Sequence, residues 1–306
     1  MTKTDLDFIR HLVAKGGPDV EDYPDFEAWV SRLKQGTDAG LVSETDKRQI
    51  EQVFGDALTC ETMQGFAYRK PHGYPGDFEI IDRIYTHWKS PREDLRKWDD
   101  YFHQQVAPEA VRNRKNVFCR CIDDLGQVPK RILNLASGPA RDVYDWMGPE
   151  KPRHHITCLD MDPKSVQYAK ELVREKHQSL NGNSPDITFI VGNAVRYRAA
   201  QKYDLIWSGG LFDYFSDRVF VAMLKKFRSM INPGGGNYGW KFWKQQSIAS
   251  VHGIGGGMGF RAPNRGTASW PRPFGGCLPG PRGDHQRRIR RKPLLADLGG
   301  IGWSCI

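Results

Sequence analysis

The chain has 306 residues and a formal net charge of +9 at pH 7. This length accommodates one or two ordinary domains, and nothing approaches the ~20 consecutive apolar residues of a membrane span. Its six scattered cysteines do not make a disulfide framework, so we expect reduced thiols in a cytoplasmic protein.

The positive charge is confined to the end of the chain. From Lys241 onward there are 11 Lys or Arg against 2 Asp or Glu, whereas the first 240 residues hold 34 of each. Binding of a polyanion requires a basic surface. Nucleic acid is therefore not expected as a partner of the neutral body, except through the basic tail.

Residues 1–115 are predicted to form a mainly helical domain, because their apolar residues recur at helical spacing. Gly36 is expected to end the second helix and Ser43 to cap the third. The predicted helices are TDLDFIRHLVAKG, DFEAWVSRLKQG, a segment opened by Ser43, one from Ser90 towards Gln105, and one that starts at Pro108. Between the third helix and Ser90, the glycines and prolines of Pro71–Gly76 predict a turn or loop.

The segment from Arg131 to Pro163 is the most informative part of the chain. RILNL is typical of a buried strand, LASGPAR of a turn that opens a helix, and HHITCLD of a second buried strand that ends on Asp160. A carboxylate ~20 residues after such a turn can accept both hydroxyls of an adenosine ribose. Gly138 and Asp160 are 22 residues apart. The sequence therefore predicts a Rossmann-like doubly wound α/β sheet.

Two more strands and a helix continue this pattern. ITFIV precedes Gly192–Ala194, and Asp204–Ser208 precedes the pair Gly209–Gly210. A helix is predicted over Val219–Ile231, followed by a turn at Asn232–Gly235.

In this order the motifs resemble those of the class I S-adenosylmethionine (SAM)-dependent methyltransferases, whose first motif is acid-x-G-x-G-x-G. Asn134 stands at the acidic position, and Ala136 and Ala140 stand at glycine positions. The GYPGD, AVRNR and GLFDY segments are similar to a bacterial subset with helical N-terminal domains. That subset includes enzymes proposed to methyl-esterify 3-hydroxy fatty acids. The resemblance covers about residues 60–235.

The resemblance implies SAM as the cofactor. Asn193 is expected to accept a hydrogen bond from the adenine amino group, Tyr74 to belong to a lid, and Arg114 to anchor a carboxylate of SAM or of the acceptor. A structural turn and an exposed basic helix face are the alternatives for the last two. The predicted cofactor-binding residues are Asn134, Ala136, Ser137, Gly138, Asp160, Met161, Asn193, Ala194, Ser208, Tyr74 and Arg114.

Methyl transfer from a sulfonium requires alignment more than acid–base catalysis. A carboxylate acceptor needs no base, whereas a phenol or an amine benefits from one. Asp213 and Tyr214 follow the fourth strand and are candidates for the acceptor site, and His72 is a candidate base. A helix cap near Ser216 and a polar surface histidine are the alternatives. No His or Cys spacing indicates a metal site.

The methyltransferase domain is predicted to span residues 116–236, and residues 237–306 form a low-complexity basic tail. From Lys241 this tail holds 13 Gly and 6 Pro, a composition that disfavours a packed core. It is a disordered arm, an unusual domain or the product of a reading-frame error near Gly236. The abrupt change inside a structural element favours the last of these.

The predicted function is transfer of a methyl group from SAM to a small molecule, with the carboxylate of a hydroxy fatty acid as the leading acceptor by resemblance. An RNA methyltransferase tethered by the tail is one alternative. A non-catalytic SAM-fold module that acts through the tail is another. The sequence carries no indication of oligomeric state.

Overall fold

The computed structural model describes residues 3–181 and 184–232. In that part of the chain, ten α-helices surround one sheet of four strands. The helices are α1 Lys3–Ala14, α2 Tyr23–Asp38, α3 Glu44–Phe54, α4 Met63–Arg69, α5 Phe78–Tyr85, α6 Arg96–Gln104, α7 Val106–Asp123, α8 Arg141–Trp146, α9 Pro163–Ser179 and α10 Asp217–Met230. The strands are β1 Arg131–Leu135, β2 His155–Asp160, β3 Asp186–Val191 and β4 Leu205–Ser208.

The strands are parallel in the order β3-β2-β1-β4, which confirms the predicted Rossmann-like fold. Leu135 at the end of β1 pairs with Leu159 on one side and with Ser208 on the other. The turn after β1 therefore lies between the ends of β2 and β4. Chain order reverses there, and open α/β sheets bind their ligands at such a point.

The first three helices lie where the apolar spacing predicts them. Ser43 caps α3: its hydroxyl accepts from the Asp46 N–H at 3.1 Å, and the Asp46 carboxylate accepts from the Ser43 N–H at 2.9 Å. The predicted end of α2 at Gly36 was wrong, because the helix continues to Asp38. The chain then turns at Gly40, whose φ is 71°.

Other predicted boundaries in the helical part need correction. α6 begins at Arg96 and not at Ser90, whose N–H donates instead to the buried carboxylate of Asp99 at 2.7 Å. α7 begins at Val106, two residues before Pro108. The helices α4 and α5 were not predicted.

The loop between α4 and α5 spans residues 70–77 and is an ordered turn. Lys70, Gly73 and Gly76 all have positive φ, which reverses the chain within a few residues. Asp77 closes the loop by capping α5, and its carboxylate accepts from the N–H of Glu79 at 2.9 Å and of Ile80 at 3.0 Å. We call residues 70–77 the α4–α5 loop.

α7 contributes to two hydrophobic cores. Val111 packs in a cluster with residues of α4 and α5, while Phe118 and Ile122 pack in the cluster that contains Ile132 of β1. The helix runs without a break through residue 115. The helical part and the sheet therefore share one rigid element at the predicted domain boundary.

The predicted tail, residues 237–306, lies outside the described residues, as do positions 233–236 of the predicted methyltransferase domain. Each helix within residues 3–181 and 184–232 is too short or too polar to cross a membrane.

Candidate active site

The turn after β1 has the backbone of a glycine-rich turn although it contains one glycine. Ala136, Gly138 and Ala140 have φ values of 50°, 54° and 50°, in the left-handed region that glycine favours. A Cβ atom built on Gly138 meets no other atom within 4 Å. The backbone at the centre of the turn therefore faces open space, where a ligand can approach it closely.

Asp160, at the end of β2, points its carboxylate at this turn. Oδ2 accepts from the Gly138 N–H at 2.9 Å, and Oδ1 accepts from the Asp162 N–H at 2.9 Å. Burial raises the pKa of Asp160, and the two backbone donors oppose that shift. Each carboxylate oxygen keeps a second lone pair, so both can still accept from a ligand.

Asn134 is buried in β1, and its amide is engaged inside the protein. Nδ2 donates to Oδ2 of Asp142 at 3.2 Å. Burial raises the pKa of Asp142 to about 6, while the Val143 N–H, Asn134 and Arg114 favour the charged form. A carboxylate thus remains beside the position where the family motif has its acid.

The guanidinium of Arg114 lies against Gly209–Gly210, directly after β4. A Cβ on the first glycine would be 3.5 Å from Nε, and one on the second would be 3.1 Å from Nη1. Nε donates to the Tyr85 hydroxyl at 3.2 Å, and within residues 3–181 and 184–232 nothing accepts from the two terminal nitrogens. Burial opposes the charge on Arg114, but Tyr85, Asp142 and Asp213 outweigh it, so its pKa is raised.

Ser208 is the neighbour of this glycine pair. Its Oγ is buried and has no hydrogen-bond partner among the residues that the structure describes. Buried polar atoms in native proteins are nearly always paired. Considering only the residues that the structure describes, the end of β4 therefore offers one unpaired hydroxyl and one guanidinium with unused donors.

The α4–α5 loop is joined to both sides of the turn. The Tyr74 hydroxyl donates to Oδ2 of Asp162 at 2.7 Å, and the Tyr214 hydroxyl donates to the carbonyl of Pro75 at 2.8 Å. Asp162 follows β2 and Tyr214 follows β4, so the loop crosses the carboxyl edge of the sheet. Burial, followed by the hydrogen bond to Asp162, raises the pKa of Tyr74 well above its usual value.

Met161 and Asn193 are predicted site residues that follow β2 and β3. Met161 is 70% exposed. The side-chain oxygen of Asn193 accepts from the backbone N–H of Val195 at 2.8 Å and of Arg196 at 3.3 Å. Both hydrogen bonds are local to the turn after β3, and the expectation that this oxygen accepts from adenine stays a prediction.

His72 contacts two residues of α5. Its Nε2 lies 3.0 Å from Oε2 of Glu79, and its ring packs 4.5 Å from the ring of Phe78. Its Nδ1 is buried and has no partner in the described part of the chain. A catalytic role for His72 stays a prediction.

The remaining predicted residues lie near the carboxyl edge of the sheet around the turn after β1, which we call the crevice. Ser137 in the turn and Ala194 after β3 are both buried. Asp213 lies on a short 3-10 turn, Leu211–Tyr214, and acts electrostatically on Arg114. α10 is preceded by Ser216, so Asp213 and Tyr214 do not occupy its N-cap. Within the described ranges, no group of three or more His, Cys, Asp or Glu side chains could hold a metal ion.

Sequence reasoning missed three residues of the site: Tyr85, Asp142 and Asp162. Only Asp162 carried a local signal, since an acid before Pro163 is a common start of a helix. Tyr85 reaches the site through Arg114, 29 residues away, whereas Asp142 bonds to Asn134 across the turn itself.

The parallel strand order, the small-residue turn after β1 and the acid that ends β2 define a doubly wound domain that binds an adenosine-bearing ligand. The profile of the family described as "Methyltransferase domain" matches residues 132–235. This match and the fold support a class I SAM-dependent methyltransferase domain over these residues, with S-adenosyl-L-methionine as the cofactor.

Known relatives align with part of the chain. Malonyl-[acyl-carrier protein] O-methyltransferase 1 of Ilyobacter polytropus is 32% identical over 84 residues, which are 28% of this chain and 28% of that protein. Arsenite methyltransferase of Mus musculus is 27% identical over 112 residues, 35% of this chain and 29% of that protein. The chain thus covers less than a third of the length of these relatives.

Two solved structures are similar at low identity. A possible exported protein from Bordetella parapertussis is 18% identical with a TM-score of 0.45, and the match covers 76% of this chain and 68% of that one. A SAM-dependent methyltransferase from Thiobacillus denitrificans, in complex with S-adenosyl-L-homocysteine, is 18% identical with a TM-score of 0.31, covering 40% of this chain and 45% of that one.

The left-handed turn yields a stability prediction. Replacing Ala136 by Gly removes a Cβ from a conformation that costs an L-residue about 1–2 kcal/mol, and the greater freedom of glycine in the unfolded chain offsets about half of that. We expect the free energy of unfolding of Ala136→Gly in urea to rise by about 0.5–1 kcal/mol.

Ala39→Gly is the control, because Ala39 has an ordinary φ of −80°. That change removes a methyl group without relieving strain and should not stabilise the protein. Equal losses of stability in both variants would contradict the strain at Ala136.

Proposed function

We propose that this protein transfers the methyl group of SAM to a carboxylate on a small molecule, with an acyl chain as the leading acceptor. The observation that carries the proposal is the turn after β1, held by the carboxylate of Asp160 in a left-handed form that leaves its backbone open. Such a turn accommodates an adenosyl cofactor against the protein backbone.

The residues of the crevice fit the groups of SAM. Asp160 has lone pairs for the two ribose hydroxyls, and the open backbone at Gly138 admits the nucleoside. The terminal nitrogens of Arg114 match a carboxylate in bidentate fashion, which suits the methionine end of the cofactor. When bound, the cofactor supplies an electrophilic methyl group on a sulfonium, and the protein supplies alignment.

A carboxylate acceptor agrees with the charge and the chemistry of the site. A carboxylate is already a nucleophile and requires no base. The Tyr214 hydroxyl donates to Pro75, and Nε2 of His72 faces Glu79 while its Nδ1 is buried. The first 240 residues hold as many acidic as basic side chains, which argues against a polyanionic acceptor. The malonyl-[acyl-carrier protein] O-methyltransferase similarity is in keeping with an acyl substrate.

The α4–α5 loop serves as a lid in this proposal. It crosses the carboxyl edge of the sheet and is fastened by two phenolic hydroxyls, one to a carboxylate and one to a carbonyl. A closed loop excludes water from the reacting groups and keeps the cofactor bound during the reaction.

Cofactor binding tests the proposal directly. Asp160→Asn removes the negative charge and one acceptor, so we expect the Kd of S-adenosyl-L-homocysteine to rise about 10- to 100-fold by calorimetry, as for the loss of a hydrogen bond to a charged group. Asp186→Asn is the control: Asp186 starts β3 at the opposite edge of the sheet, where it faces His155. Unchanged affinity in Asp160→Asn would exclude this site for the cofactor.

The acceptor atom is identified by the stability of the product. Cells that express the protein are fed methionine with a labelled methyl group, and small molecules are extracted and analysed by mass spectrometry. We expect a new labelled species that releases its label as methanol in mild base, as a methyl ester does. A label that resists base indicates methylation at nitrogen, sulfur or an ether oxygen, and the carboxylate proposal then fails.

We test the lid role by removing, one at a time, the two tyrosine hydroxyls that hold the α4–α5 loop in place. A hydrogen bond to a charged group contributes more than one to a neutral group, so Tyr74→Phe should accelerate dissociation of S-adenosyl-L-homocysteine about tenfold and Tyr214→Phe about threefold. Dissociation rates come from stopped-flow fluorescence.

Tyr197→Phe is the matched control, because the Tyr197 hydroxyl bonds to that of Tyr203, which lies before the amino end of β4. A lid role is contradicted if all three variants release the ligand at the same rate.

A further inference from the structure

We infer that Asp82, on α5 of the helical part, is a positioning residue for the cofactor turn. The inference rests on the proposed function, because it takes the turn after β1 as the place where SAM binds. The carboxylate of Asp82 acts on Arg141, the residue that follows the turn.

The carboxylate of Asp82 receives three donors from the methyltransferase domain. Arg141 donates from Nε at 2.6 Å and from Nη2 at 3.0 Å, and the Tyr168 hydroxyl donates at 2.7 Å. Arg141 is the first residue of α8 and follows Ala140, the last left-handed residue of the turn. One side chain of α5 thus holds α8 and α9 together at the end of the turn.

The ion pair between Asp82 and Arg141 is suited to fixing the orientation of Arg141. The side chains of Asp82 and Arg141 are 10% and 14% exposed, so both are withdrawn from water. Desolvation cancels much of the attraction between buried charges, and such a pair contributes little net stability. A guanidinium that meets two carboxylate oxygens with parallel N–H groups does so in one orientation, which defines the direction of the Arg141 backbone.

The conformation of the turn after β1 depends on contacts with residues outside the turn. Ala136 and Ala140 hold left-handed conformations that are strained for alanine. The helix after the turn, α8, has only six residues and is too short to be stable by itself. Its other end is tied separately, where Nε1 of Trp146 donates to the carboxylate of Asp123 at 2.9 Å.

The experiment compares two carboxylates that hold opposite ends of α8. In the full chain, Asp82→Asn should raise the Kd of S-adenosyl-L-homocysteine about tenfold by calorimetry, since one charge-assisted bidentate contact is lost at the turn. Asp123→Asn loses a contact at the far end of α8 and should change Kd less than about twofold. Thermal unfolding without ligand is recorded for both variants.

A positioning role predicts that Asp82→Asn weakens binding while its melting temperature stays near that of Asp123→Asn. The double variant Asp82→Asn/Arg141→Gln should bind no more weakly than Asp82→Asn alone, because both changes break the same contact. Independent, additive losses in the double variant would overturn the inference. So would an unchanged Kd in Asp82→Asn.

Tyr168→Phe covers the case in which Asp82→Asn does not fold. It removes one donor to Asp82 and leaves the ion pair, and we expect a two- to threefold rise in Kd, about the effect of one modest hydrogen bond. Wild-type affinity in that variant would then overturn the inference.

Failure of the wild-type protein to bind S-adenosyl-L-homocysteine would overturn the proposed function and the role of Asp82 together. Binding by wild type with no effect of the substitutions overturns the role of Asp82 alone.

Discussion

The carboxylate of Asp160 is the constraint on which the crevice depends. It accepts one backbone N–H from the turn after β1 and another from the start of α9, so a single side chain sets the separation of the two segments. The turn keeps the left-handed shape of a glycine motif with alanine in two of its three positions. A motif that looks weakened in the sequence is therefore preserved in the backbone, because the surrounding contacts hold conformations that alanine disfavours.

The helical part is a component of the site and not a separate attachment. α5 and the loop before it supply two contacts to the methyltransferase domain, Tyr74 to Asp162 and Asp82 to Arg141, and Tyr85 of α5 accepts from Arg114 of α7. α7 runs through the predicted boundary and packs in both cores. Loss of residues 1–115 would thus remove the loop over the crevice, the support of the turn and the buried guanidinium of Arg114 at once.

The sequence predicted what depends on local pattern. The strands, the turn and Asp160 follow from apolar runs and from the spacing of small and acidic residues, which are properties of one continuous segment. α5 was missed because the glycines and prolines of the preceding loop concealed a helix of eight residues. The partner of Asp82 is 59 residues away and that of Tyr74 is 88 residues away. Such pairings are created by tertiary packing, and a single sequence holds no signal for them.

The carboxylate acceptor that we propose is already anionic and requires no base. A hydroxyl or an amine loses a proton on methylation and benefits from a nearby base. The Tyr214 hydroxyl donates to a carbonyl, and Nε2 of His72 faces a carboxylate while its Nδ1 is buried. Ser208 and Arg114, by contrast, present donors with no acceptor in the described ranges. Donors orient an anion and do not remove protons. In the function that we propose, these donors hold the carboxylate of SAM, and an acceptor carboxylate needs alignment with the methyl group and no base.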